Sequence, residues 1–310
     1  MSEYTAYFNG EWVPYSQVLI APEDRGFMVA DVVFDYVRTF NGVPFRLEDH
    51  LDRLYRSLQF LRIDPGLSPE EMADICNQSV RQNEHLRAEV GEYAIRPFVT
   101  RGSSFQGPAT VCVYVKPIPF SSFARFYVEG AHGVVARTRS YPSDVMEPKI
   151  KHHSRLNFVL AELEARDVDP DARPILLDQS GNVTEGIGNN VFLVKDRVLK
   201  TPTVRSILQG VSRKVVMELA QQLGITCVEE DLQPYDLYTA DEVFESRSNP
   251  RILPVSKVDN RPVGDEFPGP ITQQLLAAHS ELVGLDIVDQ ALNFAGIEAP
   301  LEGLGRLYRI

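Results

Sequence analysis

Leucines at positions 51, 54, 58 and 61 recur three and four residues apart, the spacing that lines one face of a helix. The pattern predicts a helix starting near Glu48, with Arg53 and Arg56 off its apolar stripe. Ser68, Pro69 and Glu71 predict the next helix start, as N-cap, first helical residue and capping-box partner. Residues 93–99 and 110–115 are rich in β-branched and aromatic side chains and predict buried strands. Residues 116–122, with two prolines and two serines, read as a connection between domains. A helix is predicted over 151–166, with Leu156, Val159, Leu160 and Leu163 facing inward. Hairpin signals follow at 175–185, around Gln179-Ser180-Gly181-Asn182, and at 191–201, around Asp196-Arg197. Residues 211–223 then predict an amphipathic helix closed by Gly224.

Strands and helices in that order over 310 residues predict a mixed α+β chain of two domains. Composition adds exclusions. With 43 acidic against 31 basic residues the formal charge is -12, which repels phosphate backbones and argues against nucleic acid as a partner. No apolar run is long enough to cross a bilayer, and the first residues carry neither a basic nor an apolar signal region. Cys76, Cys112 and Cys227 form neither a metal spacing nor an even disulfide set. These features predict a cytoplasmic protein without a membrane partner. The sequons at Asn77 and Asn182 then read as chance matches.

Seven lysines are present, and Lys149 and Lys151 differ from the rest by standing ahead of an apolar helix. An amine beside a core loses solvation, which favours Schiff-base chemistry, though spacing does not choose between the two. Glu185 precedes Gly186-Ile187-Gly188 in a turn, placed either in solvent or against a cationic ring nitrogen. Gly210-Val211-Ser212 opens a helix, whose first N–H groups lack internal partners and suit a phosphate. His152 and His153 are adjacent, so on a helix they diverge, and no i+4 ligand completes a metal site. No metal is expected. No Gly-x-Ser-x-Gly elbow occurs, and Gly186-Ile187-Gly188 does not open a helix as a dinucleotide fingerprint requires.

In order, these segments resemble the class IV, or fold type IV, pyridoxal-phosphate-dependent aminotransferases, the group of branched-chain, D-amino-acid and (R)-amine transaminases. The resemblance rests on Asp24-Arg-Gly26-Phe, Val33-Phe-Asp35, the 45–54 stretch around Arg53, and Glu185 through Val194. It continues through Thr201-Pro202, Ile207 through Arg213, Ala240 through Phe244, Ile252 through Val255 and Gly269 through Thr272. It implies a small N-terminal domain (1–117), a linker (118–128) and a larger cofactor-binding domain (129–310), with pyridoxal 5′-phosphate between the domains. Val159-Leu160-Ala161 and Glu164-Ala165 place the family's cofactor lysine at Lys151. The resemblance also implies that Arg53, Val211, Ser212 and Ser248 hold the phosphate, that Leu208 packs on the ring and that Glu185 pairs with its nitrogen. It implies a homodimer or higher homo-oligomer.

Departures from the family concern the substrate. A tyrosine usual after the cofactor lysine is missing from His152-His153-Ser154-Arg155, and Arg155 stands as its replacement near the ring. Ala94-Ile95-Arg96-Pro97 loses a tyrosine and keeps the arginine, Val29 replaces an aromatic, and Arg247 through Arg251 replaces a Gly-Thr-Ala loop. Arg38, Arg96, Arg247 and Arg251 are candidate carboxylate binders, and Phe34 and Asn249 complete the expected substrate site. The expected reaction moves an amino group between a hydrophobic amino acid or (R)-amine and a 2-oxo acid such as pyruvate or 2-oxoglutarate. The alternatives are a D-amino acid aminotransferase and an aminodeoxychorismate-type lyase.

Overall fold

The computed structural model describes residues 3–298. Residues 1–2 and 299–310, within the expected domain ranges, lie outside the described residues. The chain divides into two compact units, Met1–Ile118 with Lys149–Arg155, and Pro119–Pro148 with Leu156–Ile310. The change of unit after Ile118 falls inside the proline-rich 116–122 stretch. Residues 149–155, expected within 129–310, instead belong with the first unit. No helix among the described residues is long and apolar enough to cross a membrane.

The first unit contains β1 (Thr5–Phe8), β2 (Glu11–Pro14), α1 (Arg25–Val29), β3 (Val32–Phe34), β4 (Val37–Phe40), β5 (Val43–Pro44), α2 (Leu47–Leu61), α3 (Pro69–Gln82), α4 (Glu84–Val90), β6 (Tyr93–Thr100) and β7 (Thr110–Pro117). Its sheet runs β2-β1-β7-β6-β4-β5, with β3 also on β6. Side chains alternate across a strand, so Tyr93, Ile95 and Val99 of β6 point one way and Ala94, Arg96 and Phe98 the other. The first set joins Val33, Val37, Val111, Val113 and Val115 in a core with Leu51, Leu54 and Leu58 of α2 and Met72, Cys76 and Val80 of α3. The second face carries Phe34, Arg38 and Arg96. Helix α3 begins as the sequence indicates: Ser68 Oγ accepts from Glu71 N–H and Glu71 accepts from Ser68 N–H. Arg53 is not off the buried side of α2; it is buried there with His50 and Ser57, where Asp35 meets its guanidinium.

The second unit contains α5 (Phe126–Glu129), β8 (Ala131–Arg139), α6 (Leu156–Val168), β9 (Arg173–Leu177), β10 (Glu185–Gly186), β11 (Asn189–Lys195), β12 (Val198–Thr201), α7 (Val211–Gln222), β13 (Cys227–Glu229), α8 (Pro234–Tyr238), β14 (Glu242–Arg247), β15 (Arg251–Val258), β16 (Arg261–Pro262), α9 (Pro270–Val283) and α10 (Ile287–Ala295). Its sheet runs β13-β12-β11-β14-β15-β8-β9, with β10 on β11 and β16 on β15. The 191–201 hairpin forms around Asp196 and Arg197, both at positive φ.

One helix corrects the sequence reading. Helix α6 starts at Leu156, not Lys151, and buries Asn157, Phe158, Ala161 and Ala165. Phe158 and Ala161 pack with Ala136 and Leu176. The expected inward stripe points the other way: Leu156, Val159, Leu160 and Leu163 are 66%, 43%, 48% and 56% exposed. Small residues let the helix approach the sheet closely, and the periodicity alone did not say which of two apolar faces would do so.

Candidate active site

In the first unit, residues 149–155 are held in a non-helical path. Phe34 N–H donates to Lys151 C=O at 3.0 Å, and Val33 bridges His152. Lys151 N–H donates to Ser57 Oγ at 3.3 Å. Its backbone is thus fastened on both sides by β3 and α2, and the residue is buried. Its Nζ lies 4.7 Å from the centroid of the Phe34 ring. Arg155 Cζ lies 5.6 Å from the same ring and His153 packs on it at 4.3 Å. Arg155 Nε also donates to His152 C=O, closing the segment on itself.

Burial comes first in pushing the His152 and His153 pKa values down to about 4, followed by the positive charge of Arg155. Lys151 acts on both, and Arg96 on His153. Both imidazoles are therefore neutral near pH 7. No group of three or more His, Cys, Asp or Glu residues suited to a metal ion occurs among the described residues.

Arg53 owes its burial to Asp35, which is fully buried. Arg53 Nε and Nη2 donate to the two Asp35 oxygens at 2.9 and 2.7 Å, and His50 Nδ1 lies 2.7 Å from Oδ1. Burial alone would raise the Asp35 pKa, but Arg53 and His50 outweigh it and hold the carboxyl well below the usual range. On the second face of the sheet, Arg96 sits opposite Tyr114, with its Cζ 4.8 Å from the Tyr36 ring and 6.0 Å from that of Tyr114. Arg38 is fully buried and stacks on Phe40 at 4.4 Å.

The second unit gathers the remaining candidates. Glu185 pairs with Asn190 across β10 and β11. Asn190 Nδ2 donates to Glu185 Oε2 and to Leu208 C=O, each at 3.0 Å, and Leu208 N–H donates to the same carboxylate oxygen at 3.1 Å. The carboxylate is thereby fixed from two directions. Gly210 caps α7 without a side-chain bond, leaving Val211 and Ser212 in the first turn. A Cβ on Gly210 would lie 2.1 Å from Asn190 Oδ1, so only glycine permits this approach.

Ser248 and Asn249 form the β14–β15 turn. Arg251 Nη1 donates to Ser248 C=O at 3.3 Å, its Nε reaches His279 at 2.9 Å, and Tyr127 Oη donates to Pro250 C=O. Arg251, read from sequence as a carboxylate binder, is a buried brace of this turn. Ser57, Asp35 and Asn190 carried no role in the sequence reading. Asp35 and Asn190 stood inside recognisable motifs, whereas nothing marked Ser57.

Residues 32–258 match the family described as amino-transferase class IV. A putative branched-chain-amino-acid aminotransferase of Methanocaldococcus jannaschii is 38% identical over 278 residues, covering 87% of this chain and 93% of that protein. A D-alanine aminotransferase of Staphylococcus haemolyticus is 30% identical over 275 residues, covering 87% and 94%. Among solved structures, the branched-chain amino acid aminotransferase of Escherichia coli matches with a TM-score of 0.84 at 27% identity, covering 97% of this chain and 98% of that one. A fastened lysine, a carboxylate held by two N–H donors and a glycine-entered helix thus occur in a chain that belongs to the class IV aminotransferases, as a transaminase of fold type IV.

Proposed function

We propose that the protein transfers an amino group between a hydrophobic amino acid and a 2-oxo acid such as pyruvate or 2-oxoglutarate, with Lys151 as the catalytic residue. The observation that carries the reading is the fastening of Lys151 by Ser57 and Phe34, which presents one amine beside an aromatic wall. The residues fit pyridoxal 5′-phosphate, the family's cofactor. Lys151 holds its aldehyde carbon, Glu185 its ring nitrogen, and Leu208 packs on its ring. Arg53, Ser248 and the first turn of α7, Val211 and Ser212, take its phosphate; that turn has N–H groups to offer. Arg155 stands near the ring oxygen.

Bound pyridoxal phosphate supplies a carbonyl for the amino group and a ring that takes up the electron pair left at the substrate Cα. Released when the substrate amine takes its place on the cofactor, Lys151 Nζ would carry the proton from that Cα to the carbon that held the lysine, and the reverse half-reaction would run the same transfer backwards. Glu185, with Oε2 fixed by Asn190 and Leu208, keeps a negative charge for a protonated ring nitrogen. Phe34, Arg38, Arg96 and Asn249 form the substrate side, where Arg96, held between two tyrosine rings, binds a carboxylate.

The proposal includes a homodimer. The exposed apolar face of α6 supports this, since contiguous apolar surface marks contact sites. Unpaired cysteines fit the reducing cytoplasm. A second reading, transfer from D-amino acids, is favoured by the D-alanine aminotransferase relatives; the (R)-amine reading shares the same machinery. Single-turnover bleaching of the bound cofactor's visible band by L-valine, D-alanine and (R)-1-phenylethylamine separates them. L-valine alone bleaching it supports the proposal. Bleaching only by D-alanine or the amine replaces the proposed donor.

A further inference from the structure

Ser246 is buried to 1% exposure, and its Oγ has no hydrogen-bond partner among the described residues. A buried hydroxyl with its bonding unspent is costly, so its surroundings matter. Glu185 of β10 lies opposite Asn190 of β11, and Asn190 lies opposite Ser246 of β14. Directly opposed residues of antiparallel strands share a face, with Cβ atoms about 5 Å apart. Carboxylate, carboxamide and hydroxyl therefore form one lateral row across three strands. Along the same face the next cross-strand pair is Phe192 and Phe244, stacked at 5.1 Å. That apolar pair flanks the row and offers Ser246 no polar partner.

Asn190 is the centre of the row. Its Nδ2 supplies both donors that reach Glu185 and Leu208. Those bonds exist only while Nδ2, not Oδ1, faces the carboxylate. A flipped amide would set an acceptor against an acceptor and release both.

We infer that Ser246 is a positioning residue for the transaminase reaction: its hydroxyl donates to Asn190 Oδ1 when the cofactor is bound, locking the amide that aims Glu185. The inference rests on the proposed pairing of Glu185 with the cofactor's ring nitrogen. In this role Ser246 acts through Asn190, its cross-strand neighbour.

The test uses full-length protein loaded with pyridoxal 5′-phosphate, comparing wild type with Ser246→Ala, Ser246→Thr, Asn190→Ala, Glu185→Gln and the Ser246→Ala/Asn190→Ala pair. Cofactor dissociation constants come from fluorescence titration, and the pH midpoint of the visible band is recorded for each. Loss of one hydrogen bond in this chain is expected to weaken cofactor binding about fivefold in Ser246→Ala and to shift the midpoint. Ser246→Thr restores both, and the pair behaves as Asn190→Ala alone. A silent orphan hydroxyl predicts the opposite: Ser246→Ala with unchanged binding and midpoint, and equal or higher melting temperature. That result overturns the inference provided Glu185→Gln does shift the midpoint. A Glu185→Gln protein with an unshifted midpoint instead overturns the reading of Glu185, and the inference falls with it.

Discussion

Lys151 N–H donates to Ser57 Oγ at 3.3 Å, and the same hydroxyl donates to Arg53 C=O at 2.9 Å. One helical turn of α2 therefore anchors the backbone of the proposed catalytic lysine and carries the proposed phosphate arginine. Ser57→Ala removes the anchor without creating a charge. It is expected to cost about 1 kcal/mol of stability and to lower kcat several-fold while the donor KM holds. Melting curves and steady-state kinetics check this; lost stability with unchanged kcat would assign Ser57 to folding alone.

Asp35 meets the buried Arg53 side chain with both carboxylate oxygens, and removing it takes that counter-charge away. Asp35→Ala is expected to destabilise the first unit by about 3–5 kcal/mol, measured by urea unfolding. The pH dependence has a definite sign. The folded pKa is depressed below an unfolded value of about 3.9, so the stabilisation is present above that value and is lost as pH falls through the folded one. Asp35→Ala should show a shallower acid loss than wild type.

His152 and His153 give a second titration. Their folded pKa values of about 4 lie below an unfolded value of about 6.5. Between those values the unfolded chain binds protons that the folded one refuses, so stability is fully present above about 6.5 and declines as pH drops toward 4. NMR titration, with His152→Gln and His153→Gln to identify the signals, should find both near 4. Midpoints near 6.5 would show that neither their burial nor the positive charge of Arg155, Lys151 and Arg96 governs their titration.

Gly210→Ala would place a methyl 2.1 Å from Asn190 Oδ1 and 3.4 Å from Arg213 Cβ. Overpacking of this kind costs about 1–3 kcal/mol, and here it also displaces the amide that holds Glu185. The variant should melt lower and retain pyridoxal phosphate poorly on dialysis. Normal retention would mean that α7 can shift without disturbing the Glu185 pair.

Much of the fold was legible where local chemistry decides it. The Ser68–Glu71 capping box, the β6 and β7 strands and the Asp196-Arg197 hairpin depend on adjacent residues, and each formed. Features set by distant partners were not legible. Arg53 is buried because of Asp35, 18 residues away, and no helical periodicity contains that fact. Helix α6 has two apolar faces, and the sheet took the one bearing Ala161 and Ala165. The same limit applied to the site. Glu185 was visible in its motif, but the Asn190 amide and Leu208 N–H that hold it arrive through strand register and a loop. Arg251 has the residue type of a carboxylate ligand, but its bonds to His279 and the Ser248 carbonyl depend on partners that the local sequence does not reveal.

Whether Lys151 carries the cofactor is read from the visible absorbance of the reconstituted protein. Wild type and Lys149→Ala should show the bound-cofactor band, which an amino donor bleaches, while Lys151→Ala should lack it and stay folded by circular dichroism. A Lys151→Ala protein that keeps the band, with Lys149→Ala losing it, would instead place the chemistry at Lys149, two residues along the chain.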